Sequence, residues 1–246
     1  MTNQIKKMIN IISPNPALEA HYVWAGEIGL DGTSLEKKTE QAGGNGINLA
    51  RWLRKQDVKH RVFTILGGFN GYKLKAFCKK EQIKLKYVLV KPETRENFVI
   101  EKQNKKLKYD TFVEALSKRE ISEYSKMLLT TEFKGKVFVF SGSLPNGFGQ
   151  DQYLELMQAL VAKVADIKIV LDLKRPFLQK VIQEINQQIF LVKINQHEWE
   201  EWSGENWSEK AFKDFAAKMK KQVENIVVTD AENAEGDFLA KFIAKV

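Results

Sequence analysis

Seven short apolar runs, rich in β-branched and aromatic residues, alternate along this chain with segments of helical period, and that alternation constrains the fold more than any other feature. The runs "MINIIS", "RVFTIL", "YVLV", "KVFVFSG", "IKIVLDL", "IFLVKI" and "NIVVTD" read as strands. Between them the pattern predicts helices over Asn45–Lys55, Tyr72–Lys80, Glu120–Thr130, Asp151–Val164, Pro176–Ile185, His197–Trp202 and Ser208–Val223. Such a sequence builds βα units around a mostly parallel sheet, an open α/β sandwich.

Two regions depart from that rhythm. "AHYVWAGEIGLDGTSLEKKTEQ" and "TRENFVIEKQNKKLKYDTF" alternate with a period near two and carry no helix, so each predicts a hairpin standing off the main sheet. These hairpins, about 19–42 and 92–112, are expected to form a small lid. With 246 residues, 43% of them apolar, the chain has material for one substantial domain and a buried core. No repeat or Pro/Gly linker marks a second one.

Composition excludes several function classes. No apolar stretch approaches the roughly 18 residues of a membrane span, and the N-terminal run is too short for a signal sequence, which predicts a cytoplasmic protein. A single cysteine, Cys78, rules out an internal disulfide, and three scattered histidines (His21, His60, His197) argue against a histidine-built metal cluster. The net charge of +8 would suit an anionic partner, but the lysines are dispersed among glutamates with little aromatic interleaving. That pattern favours solvated faces over a nucleic-acid track and is compatible with a phosphorylated small molecule.

Five motifs lie at strand ends or lid hairpins. "GGNGIN" (residues 43–48) opens a predicted helix whose free N–H groups favour an anion; a tight packing turn explains its glycines equally well. It lacks the lysine and hydroxyl residue of a Walker loop and the spacing of a dinucleotide fingerprint. "FSGSLPNG" continues from a strand, where Ser141 and Ser143 could hold a polar ligand or simply make a turn. In "SPNPALE", Glu19 is either an acceptor for sugar hydroxyls or a surface charge. "ETRENFVI" offers Arg95, whose forked guanidinium matches a phosphate, although a lone arginine is usually a surface residue. "VKINQHEWEEWSG" aligns Lys193, Asn195 and Glu198 at a helix start.

The order of these motifs resembles the ribokinase-like (PfkB-type) carbohydrate kinases, in particular their 1-phosphofructokinase and tagatose-6-phosphate kinase branch. The branch's N-P-A-h-D appears as "NPALE", G-G-K-G-x-N-x-A-R as "GGNGINLAR", and T-R-x-N-h-x-I as "TRENFVI". Its G-S-L-P-x-G appears as "GSLPNG", followed by D-x-Y as "DQY", and its K-P-N-x-x-E-h as "KINQHEW". The resemblance implies a ribokinase-like three-layer sandwich with a small β-lid, and transfer of a phosphoryl group from ATP with Mg²⁺ to a phosphorylated ketohexose. It also implies a homodimer formed through the lid.

Carried over by position, the resemblance places Glu19, Gly43, Gly44 and Asn48 against the sugar. Arg95 and Asn97 would grip the phosphate it already carries, with Ser143 helping to seat it. Lys193 and Asn195 would face the nucleotide, and Asn195 and Glu198 the metal. Asn45 stands where the branch has a phosphate-binding lysine, and Ile194 replaces the proline of K-P-N. Only 51 residues follow Asn195, so the resemblance implies an abbreviated C-terminal part. Within it, "AEGDFLAKFI" reads as a form of the family's G-A-G-D motif, making Asp237 the catalytic base and Gly236 a backbone donor. The helical spacing of Phe238, Phe242, Ile243 and Val246 supports that reading over one in which "TDAENAEG" is an earlier strand and turn. Ala234 and Glu235 depart from the motif, and Glu235 brings a carboxylate near the transferring phosphoryl. Two functions follow from the resemblance: an ATP-dependent phosphosugar kinase, or a catalytically silent relative that binds a sugar phosphate as a sensor or partner.

Overall fold

The computed structural model describes residues 8–24, 35–102 and 105–229, together with Ile243. Its centre is a seven-stranded sheet in the order β11-β10-β9-β8-β1-β4-β5, with every neighbouring pair parallel. The strands are β1 (Ile9–Ile12), β4 (His60–Gly67), β5 (Leu85–Val90), β8 (Val137–Ser141), β9 (Lys168–Asp172), β10 (Ile189–Asn195) and β11 (Val223–Thr229). They correspond to the seven apolar runs, which are continuous because both faces of the sheet are covered.

Alternation along each strand divides the core. Ile9 and Ile11 of β1 and Val137 and Val139 of β8 bury on one face with Ile47, Leu49 and Leu53 of α1 (Asn45–Lys55) and Leu74 and Cys78 of α2 (Gly68–Lys80). Ile12, Phe138 and Phe140 bury on the other face. There they meet α3 (Lys118–Thr130), α4 (Gln150–Lys163), α5 (Phe177–Glu184), α6 (Gln196–Ser203) and α7 (Glu209–Met219). Each large apolar side chain wholly buried in this way stabilises the fold by about 1.5–3 kcal/mol relative to exposure. The result is a helix–sheet–helix sandwich.

Two helix boundaries differ from the pattern-based reading by more than two residues. Helix α2 begins at Gly68 rather than Tyr72, because Glu93 of a distant loop accepts the Asn70 amide at 2.5 Å and caps the extra turn. Helix α7 ends at Met219 rather than Val223, because Val223 opens β11 and pairs with Ile189.

The two regions without helices form a second sheet. Its order is β3-β2-β6-β7, from β2 (Ala17–Trp24), β3 (Leu35–Gly43), β6 (Glu96–Lys102) and β7 (Lys105–Asp110). The outer pairs are antiparallel hairpins, and β2 joins β6 in parallel, with Glu19 opposite Asn97. Among the described residues, no helix is long and apolar enough to cross a membrane.

Candidate active site

The chain crosses over in opposite directions from the middle of the main sheet, so a crevice opens beyond the carboxyl ends of its strands, the usual ligand position in such sheets. Four strand ends meet there. After β1, Asn15 donates to the hydroxyl of Ser143 at 2.9 Å and to the Leu144 carbonyl at 3.2 Å, tying this loop to the one after β8. Gly142 turns that second loop with φ near +91°, in the left-handed region glycine tolerates, and its amide reaches the Asp172 carbonyl at 3.0 Å.

At the end of β10, Asn195 caps α6. Its side-chain oxygen accepts the Glu198 amide at 2.7 Å while Glu198 Oε2 accepts the Asn195 amide at 2.9 Å. This reciprocal box fixes both side chains at the cavity edge.

The crevice is a cavity of about 570 Å³, within the size range of small-ligand sites. Asn45, Ser143, Lys193, Asn195 and Glu198 wall it from the main sheet, and Arg95 and Asn97 from the second. Seven of the residues singled out in the sequence are thereby brought together. A smaller cavity of about 190 Å³, lined by Pro14, Pro16 and Pro92, shares Arg95 with the crevice.

Arg95 and Asn97 each carry a buried polar atom whose hydrogen-bonding capacity the protein does not use. Among the described residues, Arg95 Nε and Asn97 Oδ1 are buried without a hydrogen-bond partner. Burial also lowers the Arg95 pKa, partly opposed by Asp110, whose Oδ1 is 3.7 Å from Nη1. Buried polar atoms are nearly always paired, so an anion accepting from this guanidinium would complete the site.

Glu19, Gly43, Gly44 and Asn48 sit beside the cavity and are not part of its wall. A β-carbon on Gly43 would overlap the Glu19 carboxylate, and one on Gly46 would overlap Ser13. Tight packing therefore accounts for both glycines. Gly44, at φ near +92°, donates its amide to Glu19 Oε1 at 3.2 Å, and Asn48 Oδ1 accepts from Arg51 Nη1 at 2.6 Å. Asp237 and Gly236 lie outside the described residues.

The sequence reading missed Asp172. This last residue of β9 is in contact with Asn45 (3.2 Å), Ser141 (2.8 Å) and Lys193 (3.3 Å) at the cavity floor. A carboxylate ending the apolar run "KIVLD" was the available signal, of the same kind that drew attention to Ser141 and Ser143 after β8.

A model of the pfkB family carbohydrate kinases matches residues 30–234. The chain belongs to the pfkB family. This pfkB protein is 27% identical over 199 residues to 1-phosphofructokinase of Bacillus subtilis, covering 80% of the chain and 63% of that relative. It is 28% identical over 176 residues to tagatose-6-phosphate kinase of Staphylococcus epidermidis, covering 71% and 56% respectively. The chain thus spans between half and two thirds of the length of these relatives. Its fold matches Escherichia coli phosphofructokinase-2 in complex with fructose-6-phosphate, with a TM-score of 0.77 at 22% identity, over 92% of this chain and 78% of that one. The ribokinase-like three-layer arrangement with its small second sheet is thus a fold the chain shares with that structure.

Proposed function

We propose that this pfkB protein transfers a phosphoryl group from ATP to a phosphorylated ketohexose of the fructose 1-phosphate or tagatose 6-phosphate type. The observation carrying this reading is that Arg95 and Asn97 line the same cavity as Lys193, Asn195 and Glu198, while Arg95 Nε and Asn97 Oδ1 behind that wall are buried without a hydrogen-bond partner. A guanidinium fork suits a substrate's existing phosphate, and Asn97 suits a neighbouring hydroxyl. Both enzymes named for the sequence relatives act on sugar phosphates, which supports the same substrate class.

The residues present fit a nucleotide and a divalent cation. Magnesium takes few protein oxygens and keeps water and phosphate ligands, so Glu198 and Asn195 at the cavity edge suffice as its protein contacts. Bound Mg·ATP would supply the phosphoryl group and neutralise charge on the phosphates. Lys193 adds an ammonium 5% exposed at the floor. Phosphoryl transfer depends on alignment and electrostatic stabilisation more than on covalent help. In this reading Asp237 takes the proton from the sugar hydroxyl and the Gly236 amide holds a phosphoryl oxygen.

A second reading rests on Glu235 and Asn45. Glu235 stands beside Gly236 where the family motif has alanine, and Asn45 supplies no charge where the branch has lysine. These substitutions favour a protein that binds sugar phosphate without turning it over. A second copy of the chain is the partner either reading would take, through the second-sheet face that carries Phe98, Ile100, Leu107 and Tyr109. The last two are 55% and 53% exposed.

Incubation with ATP, Mg²⁺ and either sugar phosphate, with ADP release as readout, separates the two functions. The kinase reading expects ADP from the wild type and a loss of about 100-fold or more for Asp237→Ala. Equal ADP from both proteins removes Asp237 from the mechanism. No ADP from either, with a melting temperature raised by the sugar phosphate, establishes the binding-only function.

A further inference from the structure

The Asp172 carboxylate is shared among three elements. Oδ2 accepts the Ser141 hydroxyl of β8 at 2.8 Å and the Asn45 amide of α1 at 3.2 Å. Oδ1 lies 3.3 Å from the Lys193 ammonium of β10, and the two side chains are 10% and 5% exposed. Asn45 is 127 residues away in sequence, so only the fold brings this set together.

The carboxylate also occupies a junction. One cavity is lined by Asn45 from the start of α1, Arg95 and Asn97 from the second-sheet side and Ser143 from the loop after β8, whereas Lys193, Asn195 and Glu198 line it from the end of β10 and the start of α6. Each donor can serve Asp172 and a ligand at once: an amide nitrogen has two protons and an ammonium three. A ligand held by Asn45 bears on the Oδ2 that Asn45 and Ser141 share, and the restraint it adds to the carboxylate passes through Oδ1 to Lys193 before a second ligand arrives. The second ligand then meets a donor whose ordering cost has already been met, which is positive cooperativity.

We propose that Asp172 is a positioning residue that couples the two halves of the cavity, so that a sugar phosphate on the Asn45 side tightens binding of a nucleotide on the Lys193 side. The proposal rests on the kinase reading for the identity of the two ligands. Asp172 touches neither reacting group in this account. It acts through Asn45 and Lys193.

The test is calorimetric titration of the full chain with Mg²⁺ and a non-hydrolysable ATP analogue, without and with saturating fructose 1-phosphate or tagatose 6-phosphate. In the wild type the sugar phosphate should tighten analogue binding by about 5-fold or more. In Asp172→Asn and in Asn45→Ala the tightening should fall below about 2-fold. Asn45→Ala removes one exposed amide and keeps the test decisive if Asp172→Asn fails to fold. A wild type that binds both ligands independently, or variants that retain the full tightening, overturns the proposal and leaves the kinase reading standing. A wild type that binds neither ligand overturns both.

Discussion

The carboxylate of Glu19 lies over the backbone of Gly43, in the space a β-carbon would take, and accepts the amide of Gly44 at 3.2 Å. The hairpin strand β2 is thereby clamped to the end of β3 and the start of α1 by a side-chain-to-backbone contact. Gly43→Ala should destabilise the protein by about 1–3 kcal/mol, because the added methyl must displace Glu19. Urea unfolding measures this. A midpoint equal to that of the wild type would show that Glu19 swings aside without cost.

Asn195 caps α6 and, in the proposed function, also meets the nucleotide; a pair of substitutions separates the two. Asn195→Ala should lose the cap of α6, worth about 1 kcal/mol, together with nucleotide affinity. Asn195→Ser keeps a capping oxygen and should recover the stability but not the affinity. Thermal unfolding and analogue titration on the same two variants check the split; recovery of both by serine would leave Asn195 with a structural role only.

Trp199 anchors the same helix. It is fully buried and meets Trp207, Phe212 and Phe215 edge-on, at centroid distances of 5.3, 6.4 and 6.1 Å. Trp199→Ala should cost about 3–5 kcal/mol. Trp199→Phe should cost much less, because it also removes an indole N–H that has no partner among the described residues. Chemical denaturation gives both values, and equal losses would refute the packing argument.

His60 opens β4, 8% exposed, with Nδ1 2.8 Å from the Val58 carbonyl. Burial is the main cause holding its pKa below the ordinary value. The unfolded chain takes up a proton near pH 6.5 and the folded chain does not. The stability involved is therefore complete above about pH 6.5 and declines as the pH falls toward the depressed folded value. Unfolding free energies measured from pH 7.5 to 5 should show that decline, and His60→Gln should reduce it.

Much of this architecture was legible in the sequence because its strands are buried on both faces. A run such as "KVFVFSG" has to be continuous when Val137 and Val139 pack on one side and Phe138 and Phe140 on the other. The hairpins were legible for the opposite reason, since their alternation marks sheets covered on one face. What stayed hidden depended on partners distant in the chain: Glu93 capping α2, Val223 pairing with Ile189, and Ser13 filling the space at Gly46. Asp172 was missed in the same way. Its part in the site exists only where β8, β10 and the start of α1 converge on one carboxylate.

In the proposed function Arg95 receives the phosphate of a phosphorylated ketohexose in a cavity it shares with Lys193. Titration of wild type and Arg95→Gln with fructose 1-phosphate, tagatose 6-phosphate and unphosphorylated fructose tests it most directly. A sugar phosphate should bind, fructose should show no measurable binding, and Arg95→Gln should lose roughly 10- to 100-fold in affinity, as expected for a charged hydrogen bond of about 1.5–3 kcal/mol. Equal affinity for fructose and its phosphates, or a phosphate affinity untouched in Arg95→Gln, would contradict it.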